Sequence, residues 1–290
     1  MQSGFTSQNW DRRSPAGILL GRPKRSHLPS RIATIDLPLQ PHRQKIQAWI
    51  QRGYALEEMG YYAKAIATFE RVIVLDAQCL DAWQGRGIAL AKLGHAAEAL
   101  TSFRQATKIQ PDDYRAWQNM GKVLLSLKRY SEALANFDRV LLLRSDRHKA
   151  WYQRGIVLVA LNKWSSALVS LERATAVRPS CYYAWTAQGI VLNKLARYSE
   201  AELCFERSLS LKASNFGAWY GQACCYALQG RVNLALENLH HAMQCSPLVV
   251  RSMLKRDLRF DRIRTTPAFQ QLLQPEWENE DSTPLSTWSR

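Results

Sequence analysis

Apolar residues recur along most of this chain at spacings of three and four, which is the pattern of helices with one buried face. The stretch Leu80 to Asp113 shows the unit. Asp81 is acidic at the start of a first helix, where it meets the positive end of the helix dipole, and Trp83, Gly87 and Leu90 fall on one face of that helix. Gly94 then interrupts the pattern, as a residue able to adopt positive φ should. Ala99, Leu100, Phe103, Ala106 and Ile109 resume it, and Pro111, which cannot continue a helix, ends it. Two short helices joined by a tight turn are expected: helix A with the tryptophan and helix B with the phenylalanine.

The unit repeats. Trp49, Trp83, Trp117, Trp151, Trp185 and Trp219 stand 34 residues apart, which defines copies 46–79, 80–113, 114–147, 148–181, 182–215 and 216–249. Gly53, Gly87, Gly121, Gly155 and Gly189, then Ala223, follow four residues after each tryptophan. Ala65, Ala99, Ala133, Ala167, Ala201 and Ala235 follow at sixteen, and Phe69, Phe103, Phe137, Leu171, Phe205 and Leu239 at twenty. Small residues at fixed places let the two helices approach closely, and the large ones fill the space between them. A period of this size means that each unit packs only on its neighbours, so function lies on the surface of the stack. The glycine of the interhelix turn is Gly60, Gly94 and Gly230, but Lys128, Asn162 and Ala196 replace it elsewhere. Lys and Ala tolerate positive φ poorly, so those turns are expected to have a different shape.

Trp, Gly, Ala, an aromatic, Ala and Pro at fixed places in 34 residues, here Trp83, Gly87, Ala99, Phe103, Ala106 and Pro111, closely resemble the tetratricopeptide-repeat motif. The resemblance covers residues 46–249 and implies an all-α fold, a right-handed α-solenoid of stacked antiparallel helix pairs. Residues 250–273 read as C-terminal capping helices that cover the last open core. Ala223 to Leu228 and this closing segment resemble the end of bacterial, especially cyanobacterial, members of the family.

The resemblance further implies a non-enzymatic scaffold or adaptor that holds a peptide in a concave groove lined by the A helices. The groove positions hold Tyr54, Gln84, Lys92, Arg115, Gln118, Asn119, Lys122, Lys149, Tyr152, Gln153, Tyr183, Asn193, Lys194 and Tyr220. Lysine and arginine there favour an acidic, extended or helical segment of another protein. Some members of the family clamp the C-terminal carboxylates of a chaperone. Asn119 and Lys149 match that clamp, whereas Gln84, Ile88 and Gln153 do not. Cyanobacterial-type relatives also suggest a factor for assembly or maintenance of a photosynthetic membrane complex.

Charge widens the choice of partner. The net charge is +15, which suits an acidic protein surface, nucleic acid or an anionic membrane. A base-reading repeat uses a regular pair or trio of side chains per unit; the groove positions lack that regularity, and a nucleic-acid partner is disfavoured. The series Arg71, Arg139, Arg173 and Arg207 on helix B stands beside Glu70, Asp138, Glu172 and Glu206, and so reads as a solvated face.

Residues 1–45 contain Pro15, Pro23, Pro29, Pro38 and Pro41 and are basic, with Asp11 and Asp36 their only acids. They read as a largely disordered segment able to touch a membrane surface peripherally. The apolar run Ala16 to Leu20 is too short for a secretory core. Residues 274–290 read as an acidic disordered tail.

Six cysteines without a paired spacing read as reduced thiols, which suggests a cytoplasmic location. Cys224, Cys225, His241 and Cys245 do not have the spacing of a zinc site. No phosphate loop, nucleophile elbow or paired carboxylates stand outside the repeat pattern, so no catalytic residue, metal or cofactor is expected.

Overall fold

The computed structural model describes residues 42–273, and the expectations for residues 1–41 and 274–290 lie outside it. The described residues are helical, without a strand, and fall into two compact units divided between Asn162 and Lys163.

The first unit contains α1 (His42–Glu58), α2 (Tyr62–Leu75), α3 (Leu80–Leu93), α4 (Ala96–Ile109), α5 (Tyr114–Ser126), α6 (Tyr130–Leu143) and α7 (His148–Ala160). Helix α1 begins before the expected residue 46, because His42 to Lys45 contain no helix breaker. Each helix packs on the next, and α3 also touches α1 and α5, which in turn touches α7. The odd-numbered helices thus form one continuous layer.

Phe69, Phe103 and Phe137 are wholly buried between the layers. A Cβ added at Gly87 would stand 2.7 Å from the Phe103 ring, and one at Gly121 would stand 2.9 Å from that of Phe137. Only a hydrogen on the α-carbon allows this approach. Phe69 is gripped from two sides, by Gly53 on its own helix pair and by Gly85 on the next.

The second unit contains α8 (Trp164–Val177), α9 (Tyr182–Lys194), α10 (Tyr198–Leu211), α11 (Phe216–Leu228), α12 (Val232–Cys245), α13 (Pro247–Leu254), a 3-10 turn (Leu258–Phe260) and α14 (Pro267–Leu273). Phe205 repeats the double contact, with Gly189 on one side and Gly221 on the other.

The tryptophan ladder closes the loops that enter the A helices. From the second copy on, each ladder indole N–H donates to the carbonyl six residues earlier: Trp83 to Ala77, Trp117 to Pro111 and Trp151 to Ser145 at 2.9 Å, and Trp185 to Pro179 and Trp219 to Ala213 at 2.8 Å. This bond explains why the position asks for an aromatic ring with a donor.

The turns between paired helices correct one expectation. Lys128 (φ 60°), Asn162 (58°) and Ala196 (58°) adopt the same left-handed conformation as Gly60, Gly94 and Gly230. The turn is closed by backbone alone: His95 N–H donates to Leu90 O, Arg129 to Leu124 and Arg197 to Leu192, each across five residues. That bond pattern requires a positive φ whatever side chain is present, so the strain at Lys128 and Ala196 is accepted rather than avoided.

At the end of the second unit, Val250, Leu254, Phe260, Ile263 and Phe269 join the core of α11 and α12. Pro247 does more than close a repeat: it occupies the first turn of α13, where its missing N–H is harmless. The 3-10 turn packs on α11 and is fastened by an Asp-x-Arg pair. Asp257 accepts from the backbone N–H of Arg259 at 3.1 Å and from its Nε at 2.8 Å, while Tyr220 donates its hydroxyl to the same carboxylate at 2.7 Å. Asp113 and Arg115 make the same set of bonds at the start of α5, with Gln84 in place of the tyrosine. The terminal turn therefore imitates the opening of another A helix.

Candidate functional site

The A-helix positions named from the sequence divide by burial, and neighbouring helices decide the division. In the first unit Tyr54, Gln84, Gln118, Asn119 and Lys122 are buried; Arg115, Tyr152 and Gln153 are partly exposed; Lys92 and Lys149 are exposed. Several of the buried polar groups bind the adjacent helix. Tyr54 donates its hydroxyl to Asp81 O at 3.2 Å, and Gln84 Nε2 donates to Asp113 Oδ2 at 2.6 Å. Gln118 Nε2 reaches Gln153 Oε1 on α7 at 3.4 Å. The interior register is visible at Gly85: it stands two residues after its tryptophan, as Asn119 does, and faces the phenylalanine of the preceding pair.

In the second unit Asn193 and Tyr220 are buried, Tyr183 is partly exposed and Lys194 is exposed. Asn193 Nδ2 donates to Gly221 O at 3.0 Å, and Tyr220 is bound to Asp257. Tyr183 stands edge-on to Tyr182, with ring centres 5.5 Å apart.

Electrostatics single out two places on the first unit's face. Burial raises the Asp113 carboxyl, but the hydrogen bonds and charge of Arg115, with Gln84, outweigh it and hold the group below its usual range. Lys122, only 6% exposed, shows the opposite balance. Burial, then the nearby charges of Lys149 and Lys92, lower its ammonium to about 7. In the second unit burial leads in lowering Lys194, with Arg259 adding to it and Asp257 opposing.

Some organising residues escaped the sequence reading. Arg86 on α3 donates to Glu70 at 3.0 Å and to Ser102 at 2.8 Å, tying its helix to both neighbours. Arg154 on α7 donates to Asp138 at 2.6 Å. Thr68, Ser102, Asn136, Ser170 and Asn238 occupy one repeat position and each returns a hydrogen bond to the carbonyl four residues earlier. The signal for this series was present at 34- and 68-residue spacing. His241 lies flat against the Trp219 ring at 4.5 Å, and Cys224 Sγ lies 4.0 Å from Asp257 Oδ2. Among the described residues no three His, Cys, Asp or Glu gather as metal ligands, and no helix is long and apolar enough to cross a membrane.

The fold is shared with solved helical-repeat proteins. The structure of YrrB, a TPR protein with an unusual peptide-binding site, aligns with a TM-score of 0.55 at 22% identity, over 64% of this chain and 97% of that one. PilF of Pseudomonas aeruginosa aligns with a TM-score of 0.64 at 16% identity, over 74% of this chain and 99% of the other. A tetratricopeptide repeat protein from Parabacteroides merdae gives 0.60 at 16% identity, over 79% and 98%. No curated protein matches the sequence significantly. The tetratricopeptide repeat family model matches residues 50–114, 85–150 and 152–215, more than half of the chain, and the chain therefore belongs to the tetratricopeptide repeat family.

Proposed function

We propose that this protein is a non-enzymatic interaction scaffold whose six copies of the motif include a protein-binding face on α3, α5 and α7. The observation that carries the reading is the composition of that face. Lys92 and Lys149 are exposed, and Arg115, Tyr152 and Gln153 are partly so, on helices that form one layer. Tyrosine offers contact area at little entropic cost, and the lysines favour an acidic partner. The unusual peptide-binding site of YrrB accords with this use of the fold. On the second unit, Tyr183 and Lys194 offer the same chemistry by themselves. The protein's cysteines, free among the described residues, suit a reducing compartment such as the cytoplasm.

Peptide selection on the full chain tests the proposal. Selected sequences should be rich in Asp and Glu, and Lys92→Glu/Lys149→Glu should weaken their binding tenfold or more while leaving the circular dichroism unchanged. Selected peptides that bind the double variant as well as wild type would place the interaction elsewhere. If an RNA library binds with a steep salt dependence and peptides do not, the scaffold reading is overturned.

A further inference from the structure

The closing segment carries a surface that the repeats do not have. Between residues 251 and 264 six bases stand against two acids, Asp257 and Asp261, and both acids are held by bases of the same segment, Arg259 and Arg264. Lys255, Arg256 and Arg262 are exposed. On α13, Leu248, Ser252 and Lys255 are spaced four and three apart and lie opposite Val250 and Leu254, which face the core. Leu248 is therefore left 72% exposed. Leu258 on the 3-10 turn is 65% exposed. Tyr114, in the same place between Asp113 and Arg115, is covered by Arg147 and Arg144 of the next loop, 4.2 and 5.7 Å from its ring. Arg264 braces the corner after α13 by donating to Leu254 O at 3.1 Å and to Asp257 O at 2.8 Å. Two leucines and three cations thus stand exposed on one braced element. Covering either leucine is favourable, and the cations select an acidic group to do so.

We propose that this surface is a docking site for an acid-rich linear segment, and that its occupant is the chain's own residues 276–281, Glu-Trp-Glu-Asn-Glu-Asp. The site does not depend on the proposed face on α3, α5 and α7. The described residues end beside it. Helix α14 packs on α13, and Arg251 Nε, midway along α13, donates to Leu272 O at 3.4 Å. Leu248 stands one turn before Arg251, and Lys255 one turn after it. An extended chain covers up to about 3.5 Å per residue, whereas α13 is only about 12 Å long, so residues 276–281 reach either end of it. Charge is complementary. Glu276, Glu278, Glu280 and Asp281 are four acids in six residues, and no base stands between Arg264 and Arg290. Trp277 supplies an apolar side chain for the exposed leucines. A short tether holds the segment at an effective concentration on the order of millimolar, so a contact too weak to retain a free peptide is populated within the chain. The segment then covers the surface until a stronger acidic ligand displaces it.

Carbodiimide coupling of the full chain, followed by peptide mapping, tests the contact. An amide should form between Lys255 Nζ and a carboxylate of residues 276–281 within monomers. Its yield should fall by about fivefold in Arg256→Glu/Arg262→Glu, which leaves Lys255 in place but reverses the charge around it. Methyl NMR supplies a readout independent of coupling. The Leu248 and Leu258 methyl resonances should shift when Glu276→Gln, Glu278→Gln, Glu280→Gln and Asp281→Asn are combined. A synthetic peptide of residues 274–284, acetylated and amidated, should return them toward their wild-type positions at about millimolar concentration. Methyl resonances identical in the two proteins, or coupling of Lys255 only to acids outside 276–281, would overturn the proposal. Coupling undiminished by Arg256→Glu/Arg262→Glu would overturn the choice of this segment by its charge. Coupled products found only in covalent dimers would overturn the contact within one chain and assign the surface to the segment of a second copy.

Discussion

Replacing Lys122 by methionine should stabilise the protein, and the gain should depend on pH in a defined direction. Methionine has nearly the same length and no charge to bury. In the folded chain the Lys122 ammonium loses its proton near pH 7, whereas in the unfolded chain it keeps the ordinary value of 10.5. Between those values the unfolded state binds more protons, so the contribution of Lys122 to stability rises with pH. Above 10.5 both states are neutral and nothing is lost; below 7 both are charged and the whole penalty is felt. The gap corresponds to about 4–5 kcal/mol. Urea denaturation of wild type and Lys122→Met should therefore differ by about 4 kcal/mol more at pH 6 than at pH 10.5, with the variant the more stable at pH 6. Taking the difference between the two proteins cancels the cysteines and tyrosines that titrate in both. Parallel profiles would mean that Lys122 keeps its proton in the folded chain, and would refute the reasoning from burial.

Three further substitutions probe the interhelix turns and the closing 3-10 turn. Lys128→Gly and Ala196→Gly should each stabilise by about 0.5–1 kcal/mol in urea titration, because glycine removes left-handed strain of about 1–2 kcal/mol and returns part of it as unfolded-chain entropy; a loss of stability would contradict the positive φ at these residues. Asp257→Ala should cost about 1–3 kcal/mol by removing the acceptor of the buried Tyr220 hydroxyl and the partner of the partly exposed Arg259, and hydrogen exchange should accelerate at Val250, Leu254 and Phe260 while α1 to α6 keep their protection; uniform acceleration would show that the 3-10 turn is not a separate fastening.

The helices were readable because burial in a repeat follows the helical period, and Trp83, Gly87 and Phe103 mark which faces meet. The conformation at Lys128 and Ala196 was not, since propensity argues against it and only the Arg129-to-Leu124 and Arg197-to-Leu192 backbone bonds require it. The candidate contact residues differ in exposure for a related reason. A period of 34 identifies equivalent positions, but the exposure of each depends on what the adjacent pair supplies. Gln84 is covered because Asp113 reaches back to it, and Tyr220 because the 3-10 turn after the last copy brings Asp257 against it. The doublets Asp113-x-Arg115 and Asp257-x-Arg259 were visible as sequence and would have located both closures.

Lys122 presents the sharpest form of this dependence. Ile88 and Ile156 occupy the equivalent place in adjacent copies, so the position itself accepts an apolar side chain, and methionine would fill it without a charge. Its burial, with the nearby charges of Lys149 and Lys92, lowers its hold on the proton. Groups displaced from their ordinary proton affinity gather at functional sites, and on this face the displacement falls on the layer of helices that also carries the exposed lysines and Tyr152. The folding penalty thus follows from this one placement, which is why Lys122→Met should raise stability most at low pH.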